Sequence, residues 1–216
     1  MYRMEIETIN TLVSGEMYYA DLRTKLLLNQ NKPAIININI GTTFKGAIDD
    51  INSIVQALEY CGYSNDKYYI HCDAALYGLI VSFIKHMTRK SNVNSLSNIE
   101  YIASADMTIS GSRNGLAPIF LWYSLSMKGY VGLWQDSKMF IENSQYLKDQ
   151  LLKEGISVML NEFSTTVIFE RPCDHKFISR WKLCYLSGMA HIVVMSGITR
   201  EIIDSFLKDL MQERKK

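Results

Sequence analysis

The sequence predicts an α/β fold with a parallel sheet in its first part and an α+β unit at its C-terminal end. Three observations carry this. Pro33–Ile40 and Lys67–Cys72 are apolar runs rich in β-branched and aromatic residues, separated by a helical pattern. Two strands joined through a helix form a βαβ unit and must run parallel. The last third instead changes from one long helical stretch to short strands mixed with helices, the pattern of an α+β unit.

The elements follow in order. Tyr2–Ile9 alternates in polarity and predicts a strand. Ser14–Asn29 predicts a helix, with Leu22, Leu26 and Leu27 on one face. Pro33–Ile40 is the second strand, and Gly41–Gly46 turns into a helix predicted over Ala47–Tyr60. Ile48, Ile51, Ile54, Val55 and Leu58 give that helix a buried face. Asp49 and Asp50 complement its N-terminal dipole, and Gly62 suits the left-handed position after its end. The strand Lys67–Cys72 follows and ends on Asp73.

The stretch after Gly78 is apolar to Ile84, and Lys85–Ser97 is then polar with no strand pattern. Gly111-Ser112-Arg113-Asn114-Gly115 predicts a compact turn opening a long helical stretch. Helices are expected over Ala117–Lys128 and Trp134–Glu154, interrupted near Gly129 and Gly132 and stopped by Gly155. Ile156–Leu160 and Phe163–Phe169 predict a hairpin around a short Asn161-Glu162 turn. Asp174 is expected to cap a helix with Phe177, Ile178, Trp181 and Cys184 inward, stopped at Gly188. Ala190–Met195 predicts a strand, and Thr199 starts a last helix carrying Ile202, Ile203, Phe206 and Leu210.

Composition narrows the function classes. With 23 basic and 22 acidic residues the net charge is +1, which offers no field for a nucleic acid or a strongly acidic partner. No apolar run approaches the roughly 20 residues of a membrane span. Met1–Asn10 holds Glu5 and Glu7 and lacks the apolar core of a targeting segment. The four cysteines form no CxxC pair, so they predict reduced thiols and a cytoplasmic protein.

One position suggests chemistry. Asp73 ends a strand and is followed by two alanines, and in an open α/β sheet ligands collect at the carboxyl ends of the strands. A carboxylate there suits a flat cationic group, with Thr42 and Thr43 at the matching end of the other strand. The plainer alternative is an Asp that caps the next turn. His71-Cys72-Asp73 lacks the further ligands a metal site needs, so no metal is predicted. Lys45, Lys85 and Lys90 have nothing nearby to lower their pKa and predict solvated side chains.

Four motifs stand in an order that matches one family. They are Pro33-Ala34-Ile35-Ile36-Asn37-Ile38-Asn39-Ile40-Gly41-Thr42-Thr43, Tyr69-Ile70-His71-Cys72-Asp73, Gly111–Gly115 with Ala117–Tyr123, and Phe169-Glu170-Arg171-Pro172. The chain resembles the group II pyridoxal-phosphate decarboxylases, above all the plant serine and histidine decarboxylases. The resemblance implies the aspartate-aminotransferase-like architecture (pyridoxal-phosphate fold type I). Residues 1–128 would be a partial cofactor domain and residues 129–216 the small α+β domain. It also implies an amino-acid substrate and a homodimer, or a heterodimer with a full-length relative. Asp73 matches the acid that binds the protonated pyridine nitrogen, which keeps the ring cationic. Ala75 matches the small residue under the ring, Thr43 a threonine lining the cofactor, and His71 lies on the same strand face as Asp73.

The same resemblance exposes departures. The family holds its cofactor as a Schiff base on a lysine within Ser-x-x-His-Lys, and that motif occurs nowhere in these 216 residues. Its place falls between Ile84 and Asn98, where Met87-Thr88-Arg89-Lys90 matches the family just beyond the lysine. No residue is therefore predicted as catalytic. The family's phosphate loop and ring-stacking histidine precede the position of Tyr2. Leu116, Ala105 and Ser196 stand where histidine, arginine and proline are usual. The expectation is a decarboxylase homologue impaired in catalysis, with weak or no pyridoxal-phosphate binding. The alternatives are a non-catalytic paralogue that pairs with a full-length enzyme, and a fragment with no stable fold.

Overall fold

The computed structural model describes residues 5–84, 98–99, 104–105 and 115–215. Its elements are α1 (Tyr19–Leu28), β1 (Ala34–Asn39), α2 (Ile51–Tyr60), β2 (Tyr68–Asp73), α3 (Gly78–Ile84), β3 (Asn98–Ile99), β4 (Ser104–Ala105) and α4 (Leu116–Lys153). They continue with β5 (Val158–Met159), β6 (Thr166–Glu170), α5 (His175–Arg180), β7 (Cys184–Leu186), β8 (Met189–Val193) and α6 (Arg200–Arg214).

The predicted βαβ unit is present. β1 and β2 pair in parallel, with Ala34 opposite Tyr68 and Asn39 opposite Asp73. One face of β1 is buried through Ile36 and Ile38, and α1 and α2 cover it with Leu22, Leu26, Ile54, Ala57 and Leu58. Burying each of these leucine and isoleucine side chains stabilises by about 1.5–3 kcal/mol. Gly62 adopts φ +78 after α2, as its position predicts. Its N–H donates to Glu59 O at 3.0 Å, and Tyr63 N–H donates to Leu58 O at 3.0 Å. The Tyr63 hydroxyl then donates to Asn29 O at 2.9 Å and satisfies the end of α1.

Several boundaries differ from expectation. Glu5–Ile9 is not a strand, and Tyr2–Met4 lie outside the described residues. That segment is held by ion pairs, Glu7 with Lys25 at 3.3 Å and Glu5 with Lys32, rather than by a ladder. The first helix starts at Tyr19, not Ser14, because a turn through Gly15 places Met17 opposite Thr11. Leu27 points outward at 46% exposure. The second helix starts at Ile51, not Ala47. Asp50 is its N-cap, accepting from the N–H groups of Asn52 and Ser53 at 3.1 and 3.2 Å. The residues before it fold back as a loop, with Ile48 bridging to Ile40.

α4 is one run with a kink at Gly129, whose φ of 59 and ψ of −176 are not helical. The expected hairpin exists, Val158 facing Phe169, but its loop spans residues 160–165 and passes through Phe163 at φ 60. The helix capped by Asp174 ends at Arg180, where Lys182 takes φ 51. Cys184 is therefore exposed in β7 and not inward on a helix. β7 completes an antiparallel sheet of order β5-β6-β8-β7. Thr199 caps α6 as expected, and Ile202 is 40% exposed on its outer face.

A second core lies between that sheet and the helices α4, α5 and α6. Phe206 sits at its centre, edge-on to Phe169 at 5.7 Å and to Trp181 at 5.3 Å. Between the two cores, Tyr77, Ile80 and Val81 pack on Phe140 of α4. The halves are bonded as well as packed. Asn161 Nδ2 donates to Ser14 O and to Lys45 O, each at 2.9 Å. Among the described residues no helix is long and apolar enough to cross a membrane.

Candidate functional site

The parallel register puts Asn39 beside Asp73, so the loops after β1 and β2 leave the sheet at the same end. This is the end where a parallel sheet presents its ligand-binding loops. After β1 the chain runs Ile40-Gly41-Thr42, turns at Thr43–Lys45 and returns to Ile48. Ile40 N–H donates to Asp73 O at 2.7 Å, which fixes the start of this loop against the end of β2.

The twin threonines have different tasks. The Thr42 hydroxyl accepts from Ala47 N–H at 3.0 Å and holds the loop closed. Thr43 is exposed at the turn, and its hydroxyl has no hydrogen-bond partner among the described residues. Phe44 sets its ring edge-on to His191 at 4.9 Å, anchoring the loop tip to β8. His191 Nδ1 is buried without a partner, and burial pushes its pKa down.

Asp73 is exposed, and one carboxylate oxygen accepts from Ala75 N–H at 3.2 Å. The plainer expectation, an acid that caps the following turn, therefore holds. The other oxygen has no partner among the described residues. His71 and Asp73 are two apart on β2 and share its outer face with Asn37 and Asn39 across the ladder. His71, Cys72 and Ala75 are exposed too. Among the described residues no three metal-capable side chains cluster.

Lys45 lies at the surface, as expected, and also holds a backbone group. Its ammonium donates to Val13 O at 2.7 Å, and its stem lies against Gly15. Lys85, His86 and Lys90 lie outside the described residues, as do Gly111–Asn114. In the fourth motif, Phe169 is fully buried, Glu170 pairs with Arg214 at 3.0 Å, and Arg171 lies 3.7 Å over the Tyr185 ring.

Sequence reasoning missed Asp49 as an organiser of this end of the sheet. It is 5% exposed and accepts from Met17 N–H at 2.7 Å and Asn39 N–H at 2.8 Å. An apolar–Asp–Asp–apolar stretch looks like a helix start, and the pattern does not reveal which acid turns inward. Tyr77 was also missed. It is fully buried, and its hydroxyl bonds to that of Thr166.

A pyridoxal phosphate needs a counter-ion for its ring nitrogen, walls for its ring, donors for its phosphate and a lysine. Asp73 fits the first requirement. Thr43, His71, Asp73 and Ala75 are all open to solvent, so the described residues make no walled pocket around that acid. The set as it stands does not fit a firmly held cofactor.

Comparison with known proteins places this geometry. No family model matches the chain. It is 64% identical to a histidine decarboxylase of Solanum lycopersicum, covering 99% of this chain and 59% of that protein. It is 45% identical to serine decarboxylase 1 of Oryza sativa subsp. japonica, over 99% of this chain and 51% of that one. The chain thus spans about half to three-fifths of these curated relatives. The tomato alignment runs over 244 positions against 216 residues here, so at least 28 of its positions face no residue of this chain. Among solved structures, L-methionine decarboxylase from Streptomyces sp. 590 superposes with a TM-score of 0.71 at 18% identity, covering 94% of this chain and 60% of that one. Mouse CSAD gives 0.69 at 16% identity, over 95% and 57%. The aspartate-aminotransferase-like fold expected from the motifs is the fold observed.

Proposed function

We infer that this chain, a homologue of the plant histidine and serine decarboxylases, keeps the ring-binding acid of that family but does not decarboxylate amino acids by itself. The observation that carries this reading is the joint solvent exposure of Thr43, His71, Asp73 and Ala75. The absence of any Ser-x-x-His-Lys in the sequence points the same way, as do the unmatched positions in the tomato alignment. Asp73 offers one charge-assisted hydrogen bond, worth roughly 1.5–3 kcal/mol. Micromolar binding requires roughly 8 kcal/mol. Pyridoxal phosphate therefore binds weakly at best.

Kinship supports the remaining assignments. The substrate class of the lineage is an α-amino acid, serine or histidine. Residues 1–128 correspond to part of the cofactor domain and residues 129–216 to the small domain, and the Gly129 kink lies at that boundary. The chain acts with a partner, a second copy or a longer relative. Ile119, Phe120, Leu121, Trp122 and Tyr123 on α4 are each at least 56% exposed, a surface that a helix of this kind keeps buried in a finished fold. Four free thiols suit the cytoplasm.

The test is to titrate pyridoxal phosphate into the purified chain, follow its visible absorbance, and assay carbon dioxide release from serine and histidine. The expected result is no saturable binding below the millimolar range and no turnover. Turnover that disappears in Asp73→Ala would overturn the reading.

A further inference from the structure

Between α4, α6 and the end of α5 the second core leaves a cavity of about 80 Å³. Leu147 of α4 and Ile203 and Phe206 of α6 form its inner wall, and all three are buried. Trp181, Ile198 and Ile202 form the outer wall, and Ile202, at 40% exposure, marks the mouth. Every residue that lines the cavity is hydrophobic, and none belongs to the parallel sheet or to the loops around Asp73.

The outer wall is tethered from behind. The Trp181 indole N–H donates to Asp209 at 3.2 Å, and Arg180 pairs with the same carboxylate oxygen at 3.0 Å. The indole ring rests edge-on against Phe206 at 5.3 Å. On the other side, the Asn143 amide donates to Ile198 O at 3.1 Å, and Ile198 N–H donates to Met195 O at 3.0 Å. Moving either wall inward would break one of these bonds and leave a polar group unpaired. The space therefore persists although the core around it is closely packed.

The chemistry of the walls selects the guest. A water molecule needs about two to four polar partners, and the indole N–H, the one polar side-chain group here, is already committed to Asp209. A charged group would lose its hydration and gain no partner. An apolar guest restores the dispersion contacts that an empty space forfeits. An apolar cavity of about 150 Å³ holds benzene, so roughly half that volume takes about three or four carbon atoms.

We propose that this cavity is a binding site for a small uncharged aliphatic molecule, held between the Trp181 indole and the side chains of Leu147 and Ile203. The guest enters past Ile202. At the ceiling for ligands of this size, three carbon atoms give a Kd on the order of 1 mM. The site is independent of the pyridoxal-phosphate reading, since it shares no residue with Thr43, His71, Asp73 or Ala75.

The experiment uses the purified chain with methyl-labelled isoleucine, followed by carbon–proton correlation NMR. Cyclopropane and xenon are the probes, and n-propylammonium is the charged counterpart of similar size. The expected result is a saturable shift at the methyl groups of Ile192, Ile198, Ile202 and Ile203, with Ile36 and Ile54 of the first core unmoved. n-Propylammonium should shift none of them. Ile202→Phe fills the mouth from the exposed side and should weaken cyclopropane binding at least tenfold with unchanged far-ultraviolet circular dichroism. If that variant does not fold, the location and saturation of the shifts in the unmodified chain decide alone. Shifts that never saturate, shifts of equal size in the first core, or full affinity in a folded Ile202→Phe overturn the proposal. Binding of n-propylammonium as tight as that of cyclopropane overturns it as well.

Discussion

The hydroxyl of Tyr77 is bonded to the hydroxyl of Thr166, in a place where neither side chain meets solvent. Tyr77 follows the strand that carries Asp73, and Thr166 opens β6 of the C-terminal sheet. The contact ties the candidate site to the second core. Tyr77→Phe should destabilise the chain by about 1–3 kcal/mol, because Thr166 is left with a buried unpaired hydroxyl. Adding Thr166→Val should recover part of that loss. Urea denaturation of the two single variants and the double variant measures the coupling, and strict additivity would mean that the hydroxyls do not interact.

Gly46 lies at the same seam with φ +61, and a Cβ there would collide with the Ser164 hydroxyl. Gly46→Ala pays roughly 1–2 kcal/mol for the left-handed backbone and about 1–3 kcal/mol for overpacking. Thermal denaturation should show a loss well beyond that of Gly62→Ala, where a Cβ meets nothing within 4 Å.

Acid should weaken the chain through His191. Burial lowers its folded pKa below 6.5, so on acidification the unfolded imidazole takes up its proton first. Stability is full above that value, falls as pH drops through it, and levels off below the folded pKa. His191→Leu should flatten this part of the stability–pH curve. An unchanged slope would assign the acid sensitivity to other groups.

The bare helix surface should make the purified chain self-associate. Phe120→Glu with Trp122→Glu removes two side chains that are 66% and 68% exposed and touch no core. Analytical ultracentrifugation should show the double variant shifted toward monomer, with unfolding unaltered. A parent chain that is already monomeric at high concentration would contradict this.

Asp73→Ala should cost no more than about 1 kcal/mol, the price of one exposed turn cap. A larger loss in urea denaturation would mean that the acid supports the fold as well as the site.

Much of this was legible in the sequence, for local reasons. The βαβ unit follows from β-branched runs around a helical period, and Thr199 and Asp174 cap their helices as their side chains dictate. The motif around Asp73 gave both the strand and the end of the sheet to inspect. What escaped depends on distant partners. Ala47 and Ile48 have helical spacing, yet they sit in a loop, Ala47 buried and Ile48 half-buried, because Asp49 is drawn inward by Met17 and Asn39. Cys184–Leu186 could extend a helix or pair as a strand, and β8 decides. Tyr2–Ile9 alternates like a strand, but among the described residues Glu5–Ile9 has no strand beside it to make it one. The exposure around Asp73 could not be read from residue types at all, since it reflects what does not pack there.

The Asn161 amide that reaches back to Ser14 and Lys45 has a consequence in time. A ribosome emits the chain from its N-terminus, so the turn at Gly15 and the loop around Lys45 emerge more than a hundred residues before the side chain that fixes them. Tyr77 likewise waits for Thr166. The first core can gather early, since its contacts are near in sequence, whereas the seam that seats the Thr43 loop closes only after β6 has left the tunnel. The loop facing Asp73 is thus among the last parts of the molecule to take its shape.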